Sequence, residues 1–262
     1  LNDDHVDYMP GVYIESSKFG DNEQLISLRS IITRAYEHNY THYKDLFGIG
    51  YNFMMHPLMS DKIYSQLKNH IEKYYEETGM KSVIAGHSQG SSFMHIFITH
   101  YVSKEWAMKY IDRVIFLAPA FAGWATYWRL IEGKFSYQMP DNSEEFHKSV
   151  STMPGLHIML PNEVVFGNKT VIKNFPKEGE MANSSSASLL LKKLNRMDDT
   201  SFKIFKLTDK YRKNTLIEPP VQSLVIYNDN VSTPILYNYN PQNNTVTRIF
   251  GPGDRVVSDD GP

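Results

Sequence analysis

The chain has 262 residues and 41% hydrophobic content, enough for one large α/β domain or two small ones around a sizeable core. Its formal net charge of −2 leaves no broad basic surface for nucleic acid, and no apolar run approaches the roughly eighteen residues that cross a bilayer. With no cysteine, the chain has no disulfides, thiolate metal sites or cysteine nucleophiles, and the compartment stays open.

In chain order, "LISLRSIITRAY" from Leu25 to Tyr36 repeats apolar residues at spacings of three and four, which predicts an amphipathic helix with Leu25, Leu28, Ile31, Ile32 and Ala35 on one face. His38 and His42 follow as an i, i+4 pair with helical spacing. "DKIYSQLKNHIEKYYEETG" predicts a second helix, with Ser60 as N-cap, Ile63, Leu67, Ile71 and Tyr74 lining one face, and Gly79 as the stop. "KSVIAG" is too short and too β-branched for a helix and reads as a strand. "SSFMHIFITHYV" then reads as a buried helix, and "IDRVIFLAPA" at 111–120 as a strand of the kind covered on both faces in a parallel sheet. Helices between strands make the fold class α/β.

From about Gly123 to Thr215 the texture changes to helices and loops around the patch "MANSSSAS", as expected of a cap inserted into the sheet domain. Strand-like sequence returns in "VQSLVIYND" at 221–229 and "NTVTRIF" at 244–250. The predicted organisation is therefore a first core part at 1–122, a cap at 123–215 and a second core part at 216–262.

Between the predicted strand and helix stands "AGHSQG". A strand running into G-x-S-x-G and out into a helix is the setting of a nucleophile elbow. Gly86 and Gly90 remove Cβ atoms where strand and helix come closest, leaving Ser88 free to take a strained conformation with its hydroxyl exposed. The Gln89 amide then lies at a helix N-terminus, placed to donate to an oxyanion. The alternative is a turn that tolerates glycine and holds an idle serine. In this fold the acid follows the serine and the histidine follows the acid. Asp254, in the Gly/Pro-rich loop of "FGPGDRVVS", is the leading acid candidate, and Asp229 at the end of "LVIYND" is the weaker one. All ten histidines lie between His5 and His157, so none occupies the third place. His87 is too close in sequence to serve as the base of Ser88, and His95 and His100 read as packing or surface residues.

Seven segments in this order resemble the lecithin:cholesterol acyltransferase family. "MPGVYIESSKFGD" is similar to its P-G-V segment, and "GIGYNFMMHP" to its G-A-P-Y-D-W-R-x-x-P, with Asn52 and Phe53 in place of Asp and Trp. "AGHSQG" resembles the family's elbow, "LAPAFAG" its L-G-A-P-W-G-G with Phe121 at the Trp position, and "MPGLHIMLP" the segment ending W-L-L-P. "PPVQSLVIYNDNVSTP" resembles the run before the acid, and "FGPGDRVV" its F-G-D-G-D-G-T-V, with Pro252 and Arg255 replacing Asp and Gly around Asp254.

The resemblance implies an α/β-hydrolase fold with a cap and a Ser-Asp-His triad that needs no cofactor or metal. The reaction it implies is acyl transfer from glycerophospholipids, drawn from a lipoprotein or membrane surface, to water or a lipid alcohol through an acyl-serine. Ser88 would be the nucleophile, Asp254 the triad acid and the Gln89 amide half of the oxyanion hole, at a position more often Met or Leu in the family. Tyr51 and Phe53 fall in a region that lies near the family's active site, and Phe121 and Trp124, which with Tyr127, Trp128 and Leu130 follow the second strand, are expected either to line an acyl pocket or bind an interface, or to pack a helix against the core. The other oxyanion donor and the triad histidine are expected outside this chain, which reads as an internal piece of a longer enzyme with little activity of its own. A catalytically inactive hydrolase fold that binds lipid or a protein partner is the competing expectation. Five N-x-S/T sequons, at Asn39, Asn168, Asn183, Asn230 and Asn243, point to a secretory route, extracellular or lysosomal. No signal-like segment follows Leu1, so a targeting peptide is expected outside these residues.

Overall fold

The computed structural model describes residues 26–41, 44–123, 153–167, 169–174, 192, 198–213, 216–240, 242–243 and 245–254. The chain divides into two units, Leu1–Asn52 and Phe53–Pro262.

In the first unit the predicted helix forms as α1, Ile26–Glu37. Ile32 is buried and Ile31 exposed, so the inward stripe is narrower than the sequence pattern. The helix stops where Asn39 turns left-handed at φ 65°, letting the Tyr40 amide reach back to the Ala35 carbonyl at 3.0 Å.

The second unit opens with a short 3-10 turn, Pro57–Met59, and then α2, Asp61–Thr78. Its buried stripe is Tyr64, Leu67 and Ile71. Tyr64 takes the place expected of Ile63 because its phenol has a polar partner indoors, donating to the Phe93 carbonyl at 3.1 Å. Ser60 holds the N-cap position without a capping bond from its side chain, whereas Gly79 ends the helix as predicted, left-handed at φ 70° with its N–H on the Tyr75 carbonyl.

β1, Ser82–His87, leads into α3, Gln89–Ile96, which widens into a π turn over Phe97–Tyr101. α4, Lys104–Tyr110, follows from its N-cap Ser103, whose hydroxyl accepts from the Trp106 amide, and runs directly into β2, Ile111–Leu117. In the interval read as a cap, the described elements are α5, Pro154–His157, α6, Glu163–Phe166, β3, Ile172–Lys173, and α7, Asp199–Lys213. The remainder comprises β4, Gln222–Ile226, β5, Asn230–Val231, β6, Thr233–Asn240, β7, Thr245–Gly251, and β8, Gly253–Asp254.

The central sheet is parallel in the order β1-β2-β4, with Gly86 beside Phe116 and Leu117 beside Ile226. The architecture is thus mixed α/β, as expected. Ile111, Val114 and Phe116 of β2 are fully buried, and an aromatic layer of Tyr64, Phe93, Phe97 and Trp106 packs nearby, with Tyr64 and Phe93 4.5 Å apart at their ring centres. A second sheet joins β3 to the β6–β7 antiparallel hairpin, and a third, two-stranded parallel ladder pairs β5 with β8.

Candidate active site

Gly86, Ser88 and Ser91 each have a structural reason in the turn. Ser88 sits at φ 53° and ψ −124°, a conformation that costs a residue with a Cβ about 1–3 kcal/mol. Its amide donates to the Leu117 carbonyl at 2.9 Å, carrying the β1–β2 ladder one residue past the strand. Its carbonyl accepts from the Ser91 amide at 3.0 Å, closing the turn into α3. A Cβ on Gly86 would lie 2.5 Å from the Gly90 carbonyl oxygen and 2.7 Å from the Ser91 Cα, so only glycine allows the helix to start this close to the strand. The Ser91 hydroxyl is fully buried and donates to the Gly86 carbonyl at 2.8 Å, tying helix to strand a second time.

The result is a half-buried serine whose side chain makes no capping bond to the helix. α3 begins at the next residue, so the positive end of its dipole lies beside the hydroxyl. Such an arrangement presents an alcohol to an electrophile and places helix N–H groups where an oxyanion would form. The site stands at the carboxyl ends of parallel strands, the usual ligand-binding edge of an open α/β sheet. One strand further, Ala118 is also left-handed, at φ 43°, and donates to the Ile226 carbonyl at 2.7 Å.

The candidate acid reaches the same edge by a detour. After β4 the chain passes through Asp229, runs out along the β6–β7 hairpin and returns at β8, where Val231 pairs with Asp254. The Gly253 amide donates to the Asp229 carbonyl at 3.1 Å, so both candidate acids lie on the backbone just beyond β4. Burial lowers the pKa of the His87 imidazole, and the negative charge of Asp254 pulls it partly back up. Asp254 and the residue before Ser88 therefore share one electrostatic neighbourhood.

Gln89, the first residue of α3, is buried, and its side-chain amide donates to the Phe53 carbonyl at 3.0 Å and the Gly155 carbonyl at 2.7 Å. The Phe53 ring is exposed. Phe121 is half-buried with its ring edge-on to Phe116 at 4.9 Å and 5.2 Å from the His95 ring, so it packs against the sheet. Tyr51 belongs to the first unit, where burial pushes its phenol up to about 12. Trp124 and His42 lie outside the described residues. Sequence reading passed over the side chains of Gln89 and Ser91 and the tight packing at Gly155. Their partners are 36 and 66 residues away for Gln89, beyond the reach of any local pattern. His95 is a packing residue, as expected, and its Nε2 lies 2.7 Å from the Ile217 carbonyl oxygen. The ring sits against Phe116 and Phe121 and burial lowers its pKa, so it is neutral with the proton on Nε2.

A strand, a strained serine and a helix on a parallel sheet define the chain as a mixed α/β protein of the serine-elbow type. The model of the family described as lecithin:cholesterol acyltransferase matches residues 6–219, and the chain belongs to that family. The matched stretch includes Ser88 and Gln89 and stops before Asp254. Over 112 residues the chain is 27% identical to a lysosomal phospholipase A and acyltransferase of Bos taurus. That match takes in 42% of this chain and 26% of the bovine protein, so it spans about a quarter of the relative's length.

Proposed function

We propose that this chain carries the nucleophile and the acid of a serine-dependent O-acyltransferase or phospholipase A acting on glycerophospholipid acyl esters. The conformation of Ser88 carries the reading: a strained, half-buried serine is retained over a glycine-enforced turn, and backbone strain of this kind gathers at functional sites. The fold that goes with it is an α/β-hydrolase, with core segments at 1–122 and 216–262 and a cap at 123–215.

In the reaction, Ser88 Oγ attacks the ester carbonyl carbon and its proton passes to a histidine oriented by Asp254. The carbonyl oxygen becomes an oxyanion held by the Gln89 amide. Collapse expels the lysophospholipid alkoxide, which takes the proton, and leaves an acyl-serine. Water or a lipid alcohol then attacks the acyl-serine, returning the proton to Ser88. Phe53 and Phe121 of the second unit are assigned to lipid contact; Tyr51, in the first unit, and Trp124, outside the described residues, carry that role through the resemblance alone. The bovine relative's lysosomal name and the five sequons favour a secretory route, ending outside the cell or in a lysosome.

A second reading, an inactive hydrolase fold that binds lipid or a protein partner, is favoured by one observation: Pro252 and Arg255 flank Asp254 where the family segment it resembles has Asp and Gly. One experiment separates the two. In the protein extended at both ends, an alkyl fluorophosphonate is expected to label Ser88 stoichiometrically, and Ser88→Ala to abolish the label. Failure of the extended protein to label would sink the enzymatic reading.

A further inference from the structure

The residue after the nucleophile does more than offer its amide. Gln89 is 8% exposed, and its carboxamide nitrogen bridges two backbone carbonyls from distant parts of the chain, Phe53 at 3.0 Å and Gly155 at 2.7 Å. Those two segments are themselves interlocked. The Gly155 amide donates to the Met54 carbonyl at 2.8 Å, and a Cβ on Gly155 would stand 2.1 Å from the Phe53 carbonyl oxygen and 2.5 Å from that of Met55. The start of α3, the 53–55 loop and the turn into α5 therefore form one knot directly beside Ser88. Out of that knot the Phe53 ring projects into solvent, 43% exposed, on a residue whose carbonyl is bonded to the side chain next to the nucleophile.

We infer that Gln89 is a positioning residue that sets acyl-chain selectivity: its carboxamide holds the 53–55 loop so that the exposed Phe53 ring forms an apolar platform for the chain of an acyl group bound at Ser88. The inference rests on Ser88 being the acyl-accepting serine. Two features favour an apolar chain as the occupant. The platform is an exposed aromatic ring fixed by its backbone, so it presents area without losing order on binding. The knot also spends both hydrogens of the carboxamide on main chain, so the carboxamide nitrogen has no donor left to offer a bound chain. Leu or Met at position 89 would fill the space, leave the two carbonyls without this donor and free the loop.

The test uses the extended protein with two fluorophosphonates, one carrying a short alkyl chain and one a long one, and reads the long-to-short ratio of second-order labelling rates. In Gln89→Leu the ratio is expected to fall roughly tenfold, the size of one lost well-formed contact set. In Gln89→Glu the ratio falls equally at pH 7 and recovers in part in acid, measured against the unaltered protein at each pH, because a protonated carboxyl has one O–H to give where the carboxamide gives two N–H bonds. Burial raises the pKa of that carboxyl, and only its protonated form can donate to a carbonyl. Mere loss of packing gives no such recovery. Gly155→Ala pushes on the same loop from the other side and is expected to lower the ratio with Gln89 intact. Phe53→Ala alters an exposed side chain and leaves the main-chain bonds in place, so it tests the platform without threatening the fold. An unchanged ratio in Phe53→Ala, or a Gln89→Glu profile with no acid recovery, overturns the inference while Ser88 still labels. Absence of label in the unaltered protein instead overturns the reading of Ser88.

Discussion

β2 and β4 are adjacent strands of one parallel sheet with the same kind of apolar sequence, "IDRVIFL" and "QSLVI", yet they live in opposite surroundings. In β2, Val114 and Phe116 are shut away from solvent, whereas in β4 Leu224, Val225 and Ile226 are between 41% and 49% exposed. The difference separates two ways of placing a functional group. Ser88 follows β1, which pairs with the other edge of β2, at a turn where Gly86 admits no Cβ. Asp254 is held at the far side by a two-residue backbone ladder beyond an exposed strand. The candidate nucleophile is fixed by packing, the candidate acid by hydrogen bonding at the end of a hairpin. Geometry enforced by close packing resists perturbation more strongly, because a dense interior has two discrete arrangements and little in between.

The largest expected effect is at the packed end. Gly86→Ala sets a methyl 2.5 Å from the main chain of Gly90, with no flexible side chain to yield, and should destabilise the protein by about 3 kcal/mol and remove Ser88 labelling. Chemical denaturation and labelling would show it, and a stable, reactive Gly86→Ala protein would break the contrast. Next comes the acid. Asp254→Asn should lower labelling of the extended protein by about a hundredfold or more while costing little stability, with Asp229→Asn far milder. Removing the Asp254 charge should also move the His87 pKa further down, a shift that NMR titration of the imidazole reads directly.

A smaller effect concerns the buried His95. Its folded pKa lies below the usual value near 6.5, so in the native state it stays neutral while the unfolded chain takes up a proton. Stability is therefore full above about pH 6.5 and is lost as the pH falls below it. Melting temperatures between pH 7 and 5 should slope downward, and His95→Gln should flatten part of that slope. His70, His87 and His100, also lowered by burial, contribute in the same direction. The smallest effect is expected on the open strand, where Leu224→Lys and Val225→Thr should each change stability by no more than about 0.5 kcal/mol. A cost of several kcal/mol there would mean that this face is covered in the working protein, and would erase the contrast with β2.

The elements that were legible share a local cause. α2 announced itself through its apolar spacing and Gly79, and the strand, serine and helix around Ser88 through β-branched residues and two glycines. α4 was passed over because seven residues carry too little periodicity, although Ser103 three residues before Trp106 was a usable capping signal. β6 was passed over for a related reason. Pro234 near its start breaks the strand pattern and coincides with an irregular register against β7, and "YNYN" reads as turn as readily as strand. The reading of 123–215 as a cap falls largely outside the described residues, and its described pieces are short helices, α7 and β3.

By itself the sequence determined the strand, turn and helix that hold Ser88, because a glycine-flanked serine between a strand and a helix depends on steric rules that act within a few residues. It also determined the family, through segments conforming to one order along the chain. Only the tertiary structure decided that the long way round through the β6–β7 hairpin returns Asp254 to the electrostatic neighbourhood of His87, and that the Gln89 side chain ties the start of α3 to Phe53 and Gly155. These contacts join residues tens to more than a hundred positions apart, and only packing of the whole unit brings such groups within hydrogen-bonding or Coulombic reach.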